Sequence, residues 1–153
     1  MANTYTQLNI HAVFSVKGRE NTLSSKIRPD LFSFMSGILN RLQCYPLAIN
    51  GFKDHVHVFF ELHPTIAVSD LLEKLKSGSS KWLNEKKLLP GTFNWQKGYS
   101  AFTYSRSQRK DVIAYIMNQE EHHKRATFRE EYLKLLDKNE VDYDPKYIFE
   151  FYD

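Results

Sequence analysis

The chain has 153 residues, 42% of them hydrophobic and 25% charged, with a formal net charge of +3. That makeup suits one folded domain with a substantial core, so residues 1–153 read as a single unit. No run approaches the roughly 18 apolar residues of a membrane helix, and the start Met1-Ala2-Asn3-Thr4-Tyr5-Thr6 lacks the layout of a secretory signal, so the expectation is a cytoplasmic protein. The lone cysteine, Cys44, excludes an intramolecular disulfide and a cysteine-based zinc site, and is expected simply to pack. Charge is unevenly placed: residues 1–126 hold 17 Lys+Arg against 10 Asp+Glu, residues 127–153 hold 4 against 8. A basic body with an acidic tail over about 138–153 suits a polyanionic ligand without requiring one.

In chain order, Leu8, Ile10, Ala12, Phe14 and Val16 alternate as one face of a half-buried strand, with His11 on the more polar face. After Arg28-Pro29-Asp30 the apolar positions Leu31, Phe34, Met35, Ile38, Leu39 and Leu42 change to helical spacing. Tyr45 to Ile49 reads as a short strand and Asn50-Gly51 as the turn of a hairpin. The returning strand, Asp54 to Glu61, places His55, His57, Phe59 and Glu61 on one face and Val56, Val58 and Phe60 on the other. Two imidazoles side by side can hold one cation, although such a pair on a strand is more often a surface or hydrogen-bonded pair than a metal site. His63-Pro64 closes the strand, because proline cannot donate to a ladder.

Ser69 and Asp70 are candidate caps for a second helix bearing Val68, Leu71, Leu72, Leu75, Trp82 and Leu83. Its other face, with Lys76, Ser79, Ser80 and Lys81, is either a solvated surface or a set of phosphate contacts. Pro90-Gly91 breaks the chain, and the aromatic loop from Phe93 leads into a fourth strand over 99–104. Ser105 and Gln108 form a capping box for a helix expected to run to about Lys124. On it Asp111, Tyr115, Gln119 and His122 or His123 line one polar face, opposite Val112, Ile113, Ile116 and Met117. Thr127 and Glu130 cap a last helix with Phe128, Tyr132, Leu135 and Leu136.

Three ordered segments, His55-Val56-His57, Trp95-Gln96-Lys97-Gly98-Tyr99 and Tyr115-Ile116-Met117-Asn118-Gln119-Glu120-Glu121-His122-His123, resemble the single-tyrosine HUH transposases of the smallest bacterial insertion sequences, the IS200-like family. The similarity extends through 75–83 and 127–132, and it departs at Lys53, where family members often carry proline. The resemblance implies an α+β fold, a ferredoxin-like or RRM-like antiparallel sheet with helices packed on one face. It implies His55, His57 and Gln119 as ligands of a divalent cation, magnesium by abundance or manganese by ligand type, and Tyr115 as the nucleophile that forms a 5′-phosphotyrosine. It also implies a bacterial or archaeal homodimer whose active site can be shared between subunits, acting on single-stranded DNA with hairpins. His122 and His123 fit the pattern without an assigned role. Lys76, Ser79, Ser80, Lys81, Arg106, Arg109 and Lys110 are the expected DNA contacts. Rival readings are a domesticated relative acting on repeated palindromes, a metal-dependent phosphoesterase activating water, and a catalytically silent single-strand-binding RRM-like domain.

Overall fold

β1 (Asn9–Ser15) is the strand through which the rest of the sheet is joined. It pairs antiparallel with β3 (His55–Glu61) on one side and β4 (Ser100–Tyr104) on the other, and β2 (Tyr45–Gly51) pairs with β3, giving the order β2-β3-β1-β4. The computed structural model describes residues 3–152, so Met1 and Ala2 of the amino-terminal reading and Asp153 of the acidic tail lie outside the described residues.

The register sorts the side chains by face. Ile10 lies opposite Phe60, Ala12 opposite Val58 and Phe14 opposite Val56. These six join Leu31, Met35 and Leu39 of α1 (Arg28–Arg41) and Leu71, Leu72 and Leu75 of α2 (Val68–Lys86) in the main core. On the other face Val13 lies opposite His57 and His11 opposite Phe59. There the cover comes from α3 (Arg109–Met117), α4 (Gln119–His122) and α5 (Phe128–Lys138). The expected α+β antiparallel sheet is present, but helices cover both of its faces rather than the one face expected, and the added cover on the histidine face explains why every residue of β1 is buried rather than alternate ones.

Three local expectations shift. Gly51 ends β2 instead of forming the turn, which runs through Phe52 to Asp54. A side chain at Gly51 would lie 2.3 Å from the His55 carbonyl oxygen, so glycine is needed for close approach of the two strands. The N-cap of α2 is Ala67, and Ser69 and Asp70 sit inside the first turn, where the Asp70 charge faces the positive end of the helix dipole. The helix expected from Ser105 to about Lys124 is divided. The Ser105–Gln108 capping box opens a 3-10 turn, Arg106–Gln108, then α3 follows and breaks at Asn118. The Ile116 carbonyl accepts from Asn50 Nδ2 at 3.0 Å, a side-chain insertion that diverts an acceptor from the helix ladder at the break. Among the described residues, no helix is long and apolar enough to cross a membrane.

Candidate active site

Three imidazoles on the covered face, those of His55, His57 and His123, are each fixed at one nitrogen and aimed with the other. His55 Nδ1 meets Asp54 Oδ1 at 2.7 Å, and its ring stacks on Phe128 with centroids 3.9 Å apart. His57 Nδ1 meets His11 Nε2 at 2.8 Å. His123 Nδ1 donates to the Ala126 carbonyl at 2.9 Å. Such secondary bonds set tautomer and ring orientation for a metal-ligating histidine. The three Nε2 atoms then converge on one oxygen, Oε1 of Glu131, at 3.1 Å from His55 and 3.2 Å from both His57 and His123.

Gln119 is fully buried and presents its carboxamide oxygen to His55 Nε2 at 3.0 Å and to His123 Nε2 at 2.9 Å. Its nitrogen donates to Glu131 Oε2 at 3.0 Å. Tyr115, half-buried on α3, donates its hydroxyl to that same Oε2. The sequence-predicted set His55, His57, Tyr115 and Gln119 therefore meets in one place within one chain. The break at Asn118 does not part Tyr115 from Gln119, because the one-residue interruption keeps both side chains on the sheet side.

Two further participants, His123 and Glu131, carry no assigned role in the sequence reading. His123 follows Gln119 by four residues, so helical spacing carried a signal for it. Glu131 is 3% exposed, although it belongs to the α5 stripe of Phe128, Tyr132, Leu135 and Leu136. A carboxylate inside an apolar stripe is a sequence-visible anomaly, and buried charges need partners.

The charge states follow from this packing. Burial would raise the Glu131 carboxyl, but the field of His57 and bonds from His123, His55 and His57 outweigh it and hold the group far below the ordinary carboxylate range. Burial opposes charging of His55, yet Asp54 and Glu131 raise it to about 9. His57 moves the other way, because its burial exceeds the pull of Glu131. His11 is lowered well below its usual value by burial and then by His57. The Tyr115 phenol is raised, first by burial and then by the Glu131 charge. Two imidazoles, a carboxamide oxygen and a carboxylate oxygen form a donor set suited to a divalent ion. His55, His57 and Glu131 present ligand atoms that all lie within 4.8 Å of one another. The residues fit the expected cation.

A cleft of about 400 Å³ opens beside this cluster, lined by Tyr104, Asp111, Tyr115, Glu131, Lys134 and Lys138 among others. The expected DNA contacts divide. Ser79 is fully buried, donates to the Leu75 carbonyl at 2.7 Å and accepts from Trp95 Nε1 at 3.0 Å, so it is corrected to a structural residue. Lys76 Nζ is held by the carbonyls of Gln96 at 2.8 Å and Gly98 at 2.7 Å, which pins the aromatic loop. Arg109 is tied to Asn9 at 2.8 Å and Glu61 at 3.0 Å. Ser80 is partly exposed, and Lys81, Arg106 and Lys110 are exposed.

The sequence profile of the IS200-like transposases matches residues 4–119. This chain belongs to that family. The transposase is 25% identical over 118 residues to the ISDra2 transposase TnpA of Deinococcus radiodurans, covering 74% of this chain and 84% of that one. Its fold matches a crystal structure of a candidate transposase from Deinococcus radiodurans R1 with a TM-score of 0.61 and 22% identity, over 78% of this chain and 95% of the other. It also matches a REP-associated tyrosine transposase bound to a REP hairpin, with a TM-score of 0.59 and 12% identity, over 100% of this chain and 93% of the other. Family membership makes the transposase a DNA-processing enzyme. Its profile match ends at Gln119, so Glu131 and His123 lie beyond the matched segment.

Proposed function

We propose that this transposase cleaves hairpin-bearing single-stranded DNA at an insertion-sequence end and rejoins it through a 5′-phosphotyrosine on Tyr115. The observation that carries the reading is the meeting, at one buried carboxylate, of a phenol from α3 and two imidazoles from β3. Attack of the Tyr115 oxygen on a backbone phosphorus forms the tyrosyl ester and breaks the bond to the 3′ oxygen. The phenol proton leaves, and the departing 3′ oxygen gains one. Because the ester keeps the phosphodiester bond type, a second 3′-hydroxyl can reverse the step and join new ends without ATP.

His55, His57 and Gln119 would hold the divalent cation, which when bound supplies Lewis acidity at the scissile phosphate and offsets the field of Glu131. The protein does the positioning. Phe128 and Asp54 lock the His55 ring, and His11 locks His57. The phenol, raised by burial and by Glu131, stays protonated until charge at the site changes.

The substrate path follows the cleft beside Tyr115. Lys134 and Lys138, one turn apart on α5, line it and suit phosphate contact, joined by Arg106 and Lys110 near the start of α3 and more distantly by Ser80 and Lys81 on α2. Single-stranded substrate is favoured because a duplex hides the bases that an aromatic-lined surface would stack on. A transposase of the same fold is bound to a REP hairpin, which supports a hairpin as the recognition element. The homodimer implied by the resemblance would bring together two such sites, each complete in its own chain, in the cytoplasm of a bacterium or archaeon.

The same match favours a second reading, a domesticated enzyme acting on repeated palindromes of its host. Inverted ends and multiple gene copies separate a mobile element from that role. The chemical test is common to both. Incubation with hairpin-bearing single strands and magnesium or manganese gives a denaturant-resistant protein–DNA band. Tyr115→Phe removes that band and retains hairpin binding, and a band that survives Tyr115→Phe refutes the nucleophile. A silent RRM-like binder gives no adduct, and a water-activating phosphoesterase gives cleavage without one.

A further inference from the structure

Resting on the cation-dependent reading above, we propose that Glu131 is itself a ligand of the cation through Oε1, while its Oε2 holds the Tyr115 hydroxyl, so that one carboxylate couples the ion to the nucleophile. This adds to the two histidines and the glutamine a residue from α5, which lies outside the segment that carries the family match.

Spacing supports the assignment. Around an ion with ligands at about 2.0–2.1 Å in octahedral geometry, neighbouring ligand atoms are separated by about 3 Å. Glu131 Oε1 lies 3.1 Å from His55 Nε2 and 3.2 Å from His57 Nε2, as adjacent members of one coordination shell would. The second nitrogens of these rings are taken by Asp54 and His11, so the atoms aimed at Glu131 are the ones free to ligate.

Charge supports it independently. His55 and His57 ligate as neutral rings and Gln119 as a neutral carboxamide, so those three alone would place an uncompensated dication in a buried site, which is costly. Asp54 lies behind His55, on its Nδ1 side. Among the described residues, Glu131 is the carboxylate that contacts both His55 and His57 on their Nε2 side. Its other oxygen accepts from Gln119 Nε2 at 3.0 Å and from the Tyr115 hydroxyl, so its two oxygens face two different tasks.

The test needs no DNA. Manganese is titrated into the full chain and free ion is followed by electron paramagnetic resonance, for the parent protein, Glu131→Gln and the exposed neighbour variant Glu130→Gln. The expected result is a loss of affinity of about tenfold or more for Glu131→Gln, the lower end of what even outer-shell changes cause, with Glu130→Gln unchanged. Manganese-loaded parent protein carrying 13C-labelled glutamate carboxyls should also show a carbon strongly coupled to the ion, a readout that does not depend on the variant folding. Equal affinity in Glu131→Gln and the parent, or absence of the carbon coupling, overturns the assignment while leaving the cation-dependent reading intact. A parent chain that does not bind manganese overturns both.

Discussion

Mixing two inactive variants tests whether Tyr115 serves the histidines of its own chain. α3 is fastened to its own sheet by Val112 and Ile116, which pack with Ala48 and Phe59, and by the Asn50 bond to the Ile116 carbonyl. Burying two branched side chains is worth about 3–6 kcal/mol, and the partly buried hydrogen bond adds about 1 kcal/mol. Release of α3 is therefore populated on the order of one part in a thousand or less. The connection from β4 spans only 105–108 and is held by the capping box, and Arg109 is bound to Asn9 and Glu61 of the same chain. Folded Tyr115→Phe and folded His57→Ala protein, mixed with hairpin substrate and manganese, should form adduct at no more than a few per cent of the parent level, read on a denaturing gel with the two chains distinguishable in size. Recovery of a substantial fraction of the parent yield, with the adduct on the His57→Ala chain, would refute the in-chain assignment and show a site completed across two subunits.

Removing the ring behind the ligand should act at a distance: His11→Phe deletes the partner of His57 Nδ1, and manganese affinity should fall by about 10–100-fold in titration, while an unchanged affinity denies His11 its orienting role. Lys134→Ala and Lys138→Ala should each weaken single-strand binding and reduce the salt slope of log K by about 0.7 for each phosphate no longer neutralised, measured by fluorescence anisotropy; a slope equal to the parent's removes that lysine from the DNA path. In chelator, the His55 contribution to stability should depend on pH with a defined sign. Its folded value is raised to about 9 from the ordinary 6.5, so protonation favours the folded state. The contribution is fully present below about pH 6.5 and is lost as pH rises through about 9. Urea unfolding of the parent and His55→Phe between pH 6 and 10 reads it as a narrowing difference, and a difference that widens with pH contradicts the shift.

The apolar pattern made the frame legible. Alternation in 8–16 and 54–61 and helical spacing in 31–42 and 68–83 correspond to β1, β3, α1 and α2, because those residues bury against the main core and their period records it. Patterning was silent on the second cover of the sheet. His11 looks like the polar side of a half-buried strand, yet it is fully buried, because α3 and α5 close over it from more than 90 residues away in sequence. The same closure decides which polar residues function. Ser79 and Ser80 are equivalent in sequence, but one turns inward to Trp95 and the other outward. Glu131 is the reverse case. Its neighbours Phe128, Tyr132 and Leu135 mark its position as interior, and a carboxylate at an interior position predicts cationic or metal company before any coordinates exist. Helical period alone could not say which company, since that depends on β3 and the segment after α3 meeting α5. The active-site chemistry therefore lies in contacts between elements whose local patterns each look complete, and the misplaced charge is the local clue that they are not.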